Sequence, residues 1–336
     1  MDIEAYRERN RTREQIRSGG AIANLNEGIE IATHGVATRL IAWPGNGFQT
    51  QSVHVLTLKP GDASEQYTYD MAEEAMVCLK GQGEVFLRGR WVDIRAGDIA
   101  YFPERTAHAV RNPAGNDRDF VLVTQIAAPV FDLYGPAGYY NQQKGAMDFA
   151  AIEAAKKVAK SGNLATDNEM RLNESHPDLR AWNMSVDEIR REGALFNVFK
   201  GASFGGLDVP MVLILWPGYG VRATGFHFGR MDAGQVAHLH THPVSDEAVV
   251  NWAGSSEVYV DGAWVLTGPL DVSLAPCGVV HGGRVPDDAT EPFLPGGFAA
   301  PPQLDLYLNT PFHHAGQFDE PPWSTLEDAA AQNQTP

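Results

Sequence analysis

The chain has 336 residues, 43% hydrophobic and 20% charged, with a formal net charge of −16 and a pI near 5.0. That acidic balance disfavours nucleic acid and anionic membrane surfaces, which call for basic patches. Two cysteines, Cys78 and Cys277, make no disulfide framework and fit a reducing cytosol. The charged N-terminus lacks an apolar signal core, and no apolar run reaches the roughly 20 residues of a membrane helix. The composition is that of a cytoplasmic globular protein, long enough for two ordinary domains.

In chain order, the Glu- and Arg-rich segment 3–17 predicts a short surface helix, and residues 1–20 form an N-terminal arm. Residues 21–140 change character. Short Val-, Ile-, Phe- and Tyr-rich runs (SVHVLTL, AMVCLKG, EVFLRGRWVDI, FVLVTQI) are broken by Pro-Gly, Gly-Asn and Asn-Pro, a pattern of strands and turns. Residues 141–195 predict a connector with helices over 147–160 and 186–192. Strand-and-turn language returns over 196–315, with a hairpin signal at Asp261-Gly262. Residues 316–336 read as a loose polar tail.

An internal repeat runs through both β-rich halves at an offset of 173 residues. Gly61 maps to Gly234, Glu74 to Glu247, Gly81 to Gly254, Glu84 to Glu257, Trp91 to Trp264, Asp98 to Asp271, Pro103 to Pro276, His108 to His281 and Arg111 to Arg284. No gap is needed, so one β-domain occurs twice. Many short strands with regular turns make it a sandwich or barrel.

The second copy carries Gly234, His240, His242, Glu247 and Gly254, followed by Pro276, Gly278 and His281. Glycine, five residues, His-x-His, four residues, Glu, six residues, Gly, and then Pro-x-Gly-x-x-His, resembles the two motifs of the cupin family. That resemblance covers about two-thirds of the chain and implies two jelly-roll β-barrels in a mainly β fold. It also implies a divalent metal held by His240, His242, Glu247 and His281. The first copy keeps the scaffold but departs at the ligands. Tyr67 and Tyr69 stand at the positions of His240 and His242, and Arg105 replaces the second-motif glycine. Tyrosine is a poor ligand for most divalent metals near neutral pH, so the first barrel reads as metal-free. A sharper alternative makes Glu74 and His108 an acid–base pair in a pocket of their own.

Two histidines one residue apart share a strand face. With Glu247 and His281 they suit Fe(II), Mn(II), Ni(II), Zn(II) or Cu(II), and a six-coordinate ion keeps two positions open for chemistry. On a regular strand His238 shares the parity of His240, which places it beside the metal as a base or at the pocket rim. Parity from Glu247 sends Val249 and Asn251 inward and Trp252 outward. Asn251 is therefore a candidate partner of metal or substrate, or an ordinary buried amide. His227 is a candidate substrate contact or a strand-edge residue, and Arg284 a candidate carboxylate clamp or a surface arginine. Glu257 is an alternative general base.

The leading expectation is an Fe(II)-dependent dioxygenase acting on a small aromatic acid, phenol or diketone, with dioxygen as co-substrate. The alternative is a non-redox Mn, Zn or Ni enzyme: a lyase, isomerase, decarboxylase or aminohydrolase. A binding or storage protein is a third class, opposed by the intact second motif. The resemblance also implies a homo-oligomer.

Overall fold

Two seven-stranded antiparallel sheets carry the fold, and their strand orders coincide under the 173-residue offset. The computed structural model describes residues 2–164, 169–206, 209–303 and 318–331. The first sheet runs Ala194–Asn197, Asp98–Phe102, Glu73–Lys80, Phe120–Ala127, Ser52–Leu58, Val36–Ala42, Ile29–Thr33. The second runs Ala21–Asn24, Asp271–Ala275, Asp246–Ala253, Leu294–Ala300, Gly225–Gly229, Val209–Leu215, Ala202–Gly206. Each is closed into a barrel by a smaller sheet. In the second barrel this sheet orders Val236–His240, His281–Arg284, Ser256–Val260 and Ala263–Thr267. In the first it holds Arg90–Arg95, Gln82–Leu87 and Ala109–Arg111. There the counterpart of Val236–His240 is reduced to the isolated bridges Ala63 to Arg111 and Tyr67 to His108. The fold is mainly β, as two jelly-roll barrels require.

Local chemistry explains the elements. Gln82–Leu87 alternates exposed and buried side chains, as a half-covered strand should. Seven of the eight residues of Glu73–Lys80 are buried, because one face lines the barrel and the other faces the second barrel. The hairpin at Asp261-Gly262 has φ of 48° and 84°, the paired left-handed residues that a tight two-residue turn demands.

The barrels exchange strands. Ala21–Asn24 pairs with Asp271–Ala275 of the second barrel, and Ala194–Asn197 pairs with Asp98–Phe102 of the first. Each exchanged strand follows a short helix, Arg13–Gly19 or Val186–Glu192, opened by a capping box at Thr12 or Ser185. The boundaries expected at 21 and 196 therefore cut across the pairing. Sequence similarity shows which residues repeat, but not which copy they pair with. The exchange also covers one edge of each large sheet.

The joint between the barrels is reciprocal. Glu73 accepts hydrogen bonds from the backbone N–H groups of Arg222, Ala223 and Thr224, at 3.1, 2.7 and 3.1 Å, and from the Tyr101 hydroxyl. Its repeat partner Asp246 accepts from Gln49 N and Thr50 N, the partners of Arg222 and Ala223, and from Cys277 N at 2.8 Å. One apolar core, including Phe48, Phe102, Phe196, Tyr219, Phe226 and Phe298, runs through both barrels.

Three expectations need correction. The arm is not one helix: two 3-10 turns, Ile3–Tyr6 and Glu8–Asn10, precede Arg13–Gly19. Arg7 and Arg11 are extended between them, and their guanidinium groups reach Asp271 and Asp261 of the second barrel. The connector helix is shorter than expected, Phe149–Lys156, capped by Asp148. The described part of the tail is docked rather than loose. Phe318 stacks on Tyr219 at 3.8 Å, and Leu326 and Ala329 of the helix Leu326–Ala330 are buried. Among the described residues, no helix is long and apolar enough to cross a membrane.

Candidate metal centre

The second barrel gathers its four motif residues from three places in the chain. His240 ends Val236–His240, His242 lies just beyond it, Glu247 opens Asp246–Ala253 and His281 opens His281–Arg284. The Pro-x-Gly turn brings them together. Gly278 has φ +81°, and its N–H donates to the carbonyl of His242 at 2.9 Å. One potential ligand atom from each of the four side chains lies within 4.8 Å of all the others. Glu247, His242 and His281 are buried, and His240 is half-buried.

The hydrogen bonds fix which nitrogens face inward. His240 Nδ1 lies 2.7 Å from the carbonyl of His238, and His281 Nδ1 lies 2.9 Å from that of Val279. An Nδ1–H donated to a carbonyl leaves Nε2 as the lone-pair nitrogen of a neutral ring. His281 Nε2 is 2.8 Å from Glu247 Oε2, and His242 Nε2 is 3.5 Å from the same oxygen. Lone pairs that close repel unless a cation lies between them, whether a proton or a metal. Burial holds the His240 pKa down to about 4, with the nearby His281 acting in the same direction, so this ring is neutral at neutral pH. Burial alone would raise the Glu247 pKa, but the imidazoles of His242 and His281 beside it hold it well below the usual carboxylate range. Three imidazoles and one ionised carboxylate, converging in a buried pocket, fit a divalent transition metal.

A cavity of about 80 Å³ opens beside these groups. Val209, Met211, Met231, Val249, Phe293 and Pro295 give its wall an apolar character, and among the described residues no Arg or Lys lines it.

The remaining candidates divide. His227 is buried, lines this cavity and places Nε2 3.9 Å from Glu247 Oε1. Val249 faces the cavity as its parity requires. Asn251 does not reach the cavity. It is buried near the far end of the strand and donates to the carbonyl of Gly254 at 3.1 Å. Trp252, outward from the barrel by parity, is buried in the shared core. His238 is exposed and does not line the cavity. The register of Val236–His240 against His281–Arg284 shifts between Ala237 and His240, so Ala237 takes the inward place that a regular strand would give His238. Arg284 is no clamp on this cavity. Its Nε donates to Glu257 at 2.6 Å, and its guanidinium lies 4.5 Å from the Trp264 ring centroid. Glu257 is engaged there and is not placed as a base. Arg111, Glu84 and Trp91 repeat the same arrangement in the first barrel. The offset alone could have exposed this as scaffold, since all three residues recur. His313 and His314 lie outside the described residues.

In the first barrel the same positions form a closed polar cluster. Glu74 accepts from the Tyr67 hydroxyl at 3.1 Å and the Thr124 hydroxyl at 2.6 Å, and faces His108 Nε2 at 2.9 Å. His34, which the sequence reading missed, stacks on Tyr67 at 3.6 Å and lies 3.0 Å from the Tyr69 hydroxyl. Burial, followed by the charge of Glu74, raises both phenol pKa values well above 10, so both stay protonated. Arg105 holds the turn with φ +62°, and its N–H donates to the carbonyl of Tyr69 as Gly278 does to His242.

Comparison with known proteins agrees with this architecture. The cupin domain family matches residues 54–124, within the barrel that lacks the histidine pair. No curated protein sequence matches the chain. Among solved structures, protein Ylba from E. coli superposes with a TM-score of 0.56 at 10% identity, covering 84% of this chain and 91% of that one. The formate complex of oxalate decarboxylase from Lactobacillus farciminis gives 0.51 at 16% identity, covering 84% and 86%. A variant of oxalate decarboxylase from Bacillus subtilis gives 0.53 at 14% identity, covering 85% and 78%. These identities speak for the fold alone. A cupin domain is recognised over residues 54–124 and the same strand order is repeated in the second half, so the chain folds as two cupin-type barrels.

Proposed function

We propose that the second barrel is the active site of a metal-dependent enzyme for a small organic substrate, and that with Fe(II) it acts as a dioxygenase. The observation that carries this reading is the pairing of the four-residue cluster with an apolar chamber. His240, His242, Glu247 and His281 would hold the ion and leave positions open. The chamber beside them offers Val, Met, Phe and Pro surface and no cationic clamp. It suits a substrate with a chelating oxygen end and an apolar body, such as a phenol, an aromatic acid or a diketone. A small dianion would find no counter-charge in the wall apart from the ion itself. A bound Fe(II) would supply Lewis acidity and the redox chemistry for dioxygen. The chain contributes orientation through the ligand strands, exclusion of water by the chamber wall, and a polar contact at His227.

A second reading, a non-redox Mn, Zn or Ni lyase, isomerase, decarboxylase or aminohydrolase, is favoured by one observation. His227 stands beside Glu247 where a proton could be passed to or from a bound substrate. The oxalate decarboxylases that share the fold extend that reading to decarboxylation. Anaerobic purification with metal analysis, followed by oxygen uptake against aromatic acids, phenols and diketones, separates the two. Fe(II)-dependent oxygen consumption supports the dioxygenase; full turnover without oxygen sinks it. Protein purified without chelators that carries no metal would return the chain to the binding and storage class.

A further inference from the structure

The two barrels differ at a pair of facing residues that neither motif contains. In the first barrel Thr124 lies opposite His54 in the strand register, and its hydroxyl donates to Glu74 Oε1 at 2.6 Å. His54 places Nε2 3.3 Å from the Tyr134 hydroxyl. In the second barrel the same two positions hold Gly297 and His227, again opposite each other. Gly297 has no side chain, and the His227 ring fills the space. A Cβ on Gly297 would lie 2.5 Å from His227 Nε2, and closer still to Cε1, which real Cβ atoms do not tolerate. Loss of a hydroxyl on one strand is thus matched by an imidazole turned inward on the next.

We infer that Gly297 and His227 act together as a positioning device for Glu247: the glycine makes room, and the imidazole N–H takes over from the Thr124 hydroxyl as donor to the outer oxygen, Oε1. This rests on the metal reading above, with Oε2, the oxygen facing His242 and His281, turned to the ion. The present separation of 3.9 Å is longer than a hydrogen bond. The terminal torsion of a glutamate is soft, so a small turn of the carboxylate closes it. Fixing the outer oxygen orients the ligand oxygen, and such supporting contacts are commonly worth about 10–100-fold in metal affinity.

The test is a titration of the chelator-stripped full chain with Mn(II), followed by electron paramagnetic resonance, with thermal melting of the metal-free protein as a control for folding. His227→Ala should weaken Mn(II) binding by about 10–100-fold. Gly297→Ala, which evicts the ring, should weaken it comparably. The double variant should be no weaker than the worse single one, because both break the same contact. His227→Gln, which keeps a side-chain N–H, should recover part of the loss. If the alanine variant does not fold, His227→Phe keeps a ring, removes the N–H and should show the same loss. Binding by a folded His227 variant within about twofold of wild type, or losses that add in the double variant, would overturn the inference. A wild-type chain that takes up no Mn(II) would instead overturn the metal centre on which it rests.

Discussion

In the first barrel a buried glutamate is satisfied by protons; in the second, its repeat partner is surrounded by imidazoles. Glu74 takes hydroxyl hydrogens from Tyr67 and Thr124 and faces His108, and two protonated phenols fill the space before it. Glu247 faces instead the rings of His242, His281 and, further off, His227. The backbones around them are alike, down to the turn that ties Arg105 to Tyr69 in one barrel and Gly278 to His242 in the other. The difference teaches that the barrel specifies a place for a buried carboxylate, while a few side chains decide what neutralises it. A buried charge left uncompensated is costly in either case.

The contrast can be broken or sharpened by substitution. The largest effect is expected at the ligands. His281→Ala or His240→Ala should abolish metal uptake and activity while the chain stays folded, read by elemental analysis beside circular dichroism. Metal that survives either change would move the site elsewhere.

The reciprocal joint gives the next largest effect. Glu73→Ala and Asp246→Ala each strand three backbone N–H groups at a buried or part-buried position. Each should cost about 3 kcal/mol, read from denaturant midpoints. Strongly unequal losses would show that the joint is not energetically symmetric.

A smaller effect separates the barrels by pH. Burial pulls the His54 pKa down to about 4. A lowered folded value means that the unfolded chain takes up this proton first, so stability falls as pH drops from about 6.5 towards 4. His54→Gln should lose about 2 kcal/mol less than wild type between pH 7 and pH 4.5, by urea unfolding at both values. An unchanged difference between the two pH values would mean that His54 is not held neutral.

The smallest effect is expected at Tyr67→Phe. It removes one of the donors to Glu74, should cost about 1 kcal/mol of stability, and should leave metal content unchanged. Loss of metal on this change alone would reverse the assignment of the two barrels.

Much of this was legible in the chain. The helix over 186–192, the strand runs at 52–58 and 120–126, and the Asp261-Gly262 hairpin appear where local pattern places them, because apolar period and turn chemistry are local properties. The four motif residues do converge, since their spacings encode strand ends and a left-handed glycine. Parity arguments fared worse. They placed Val249 correctly but misplaced His238, because a one-residue shift in register reverses which side chain faces inward, and such a shift is a property of the paired strands. Asn251 is the ordinary buried amide, too far along its strand to reach the cavity. The offset of 173 held more than was drawn from it. Glu73 with Asp246, and Trp91–Arg111 with Trp264–Arg284, are repeated pairs whose shared fate marks scaffold rather than chemistry.

The sequence by itself determined the duplication, the mainly β class and the asymmetry of ligands, because repeats, alternation and residue chemistry are written position by position. Only the tertiary structure decided which barrel each edge strand joins, that Glu73 and Asp246 bind the barrels to each other, and that the space above Gly297 belongs to His227. Those outcomes depend on distances between segments far apart in the chain, which are set when the two sheets close and pack.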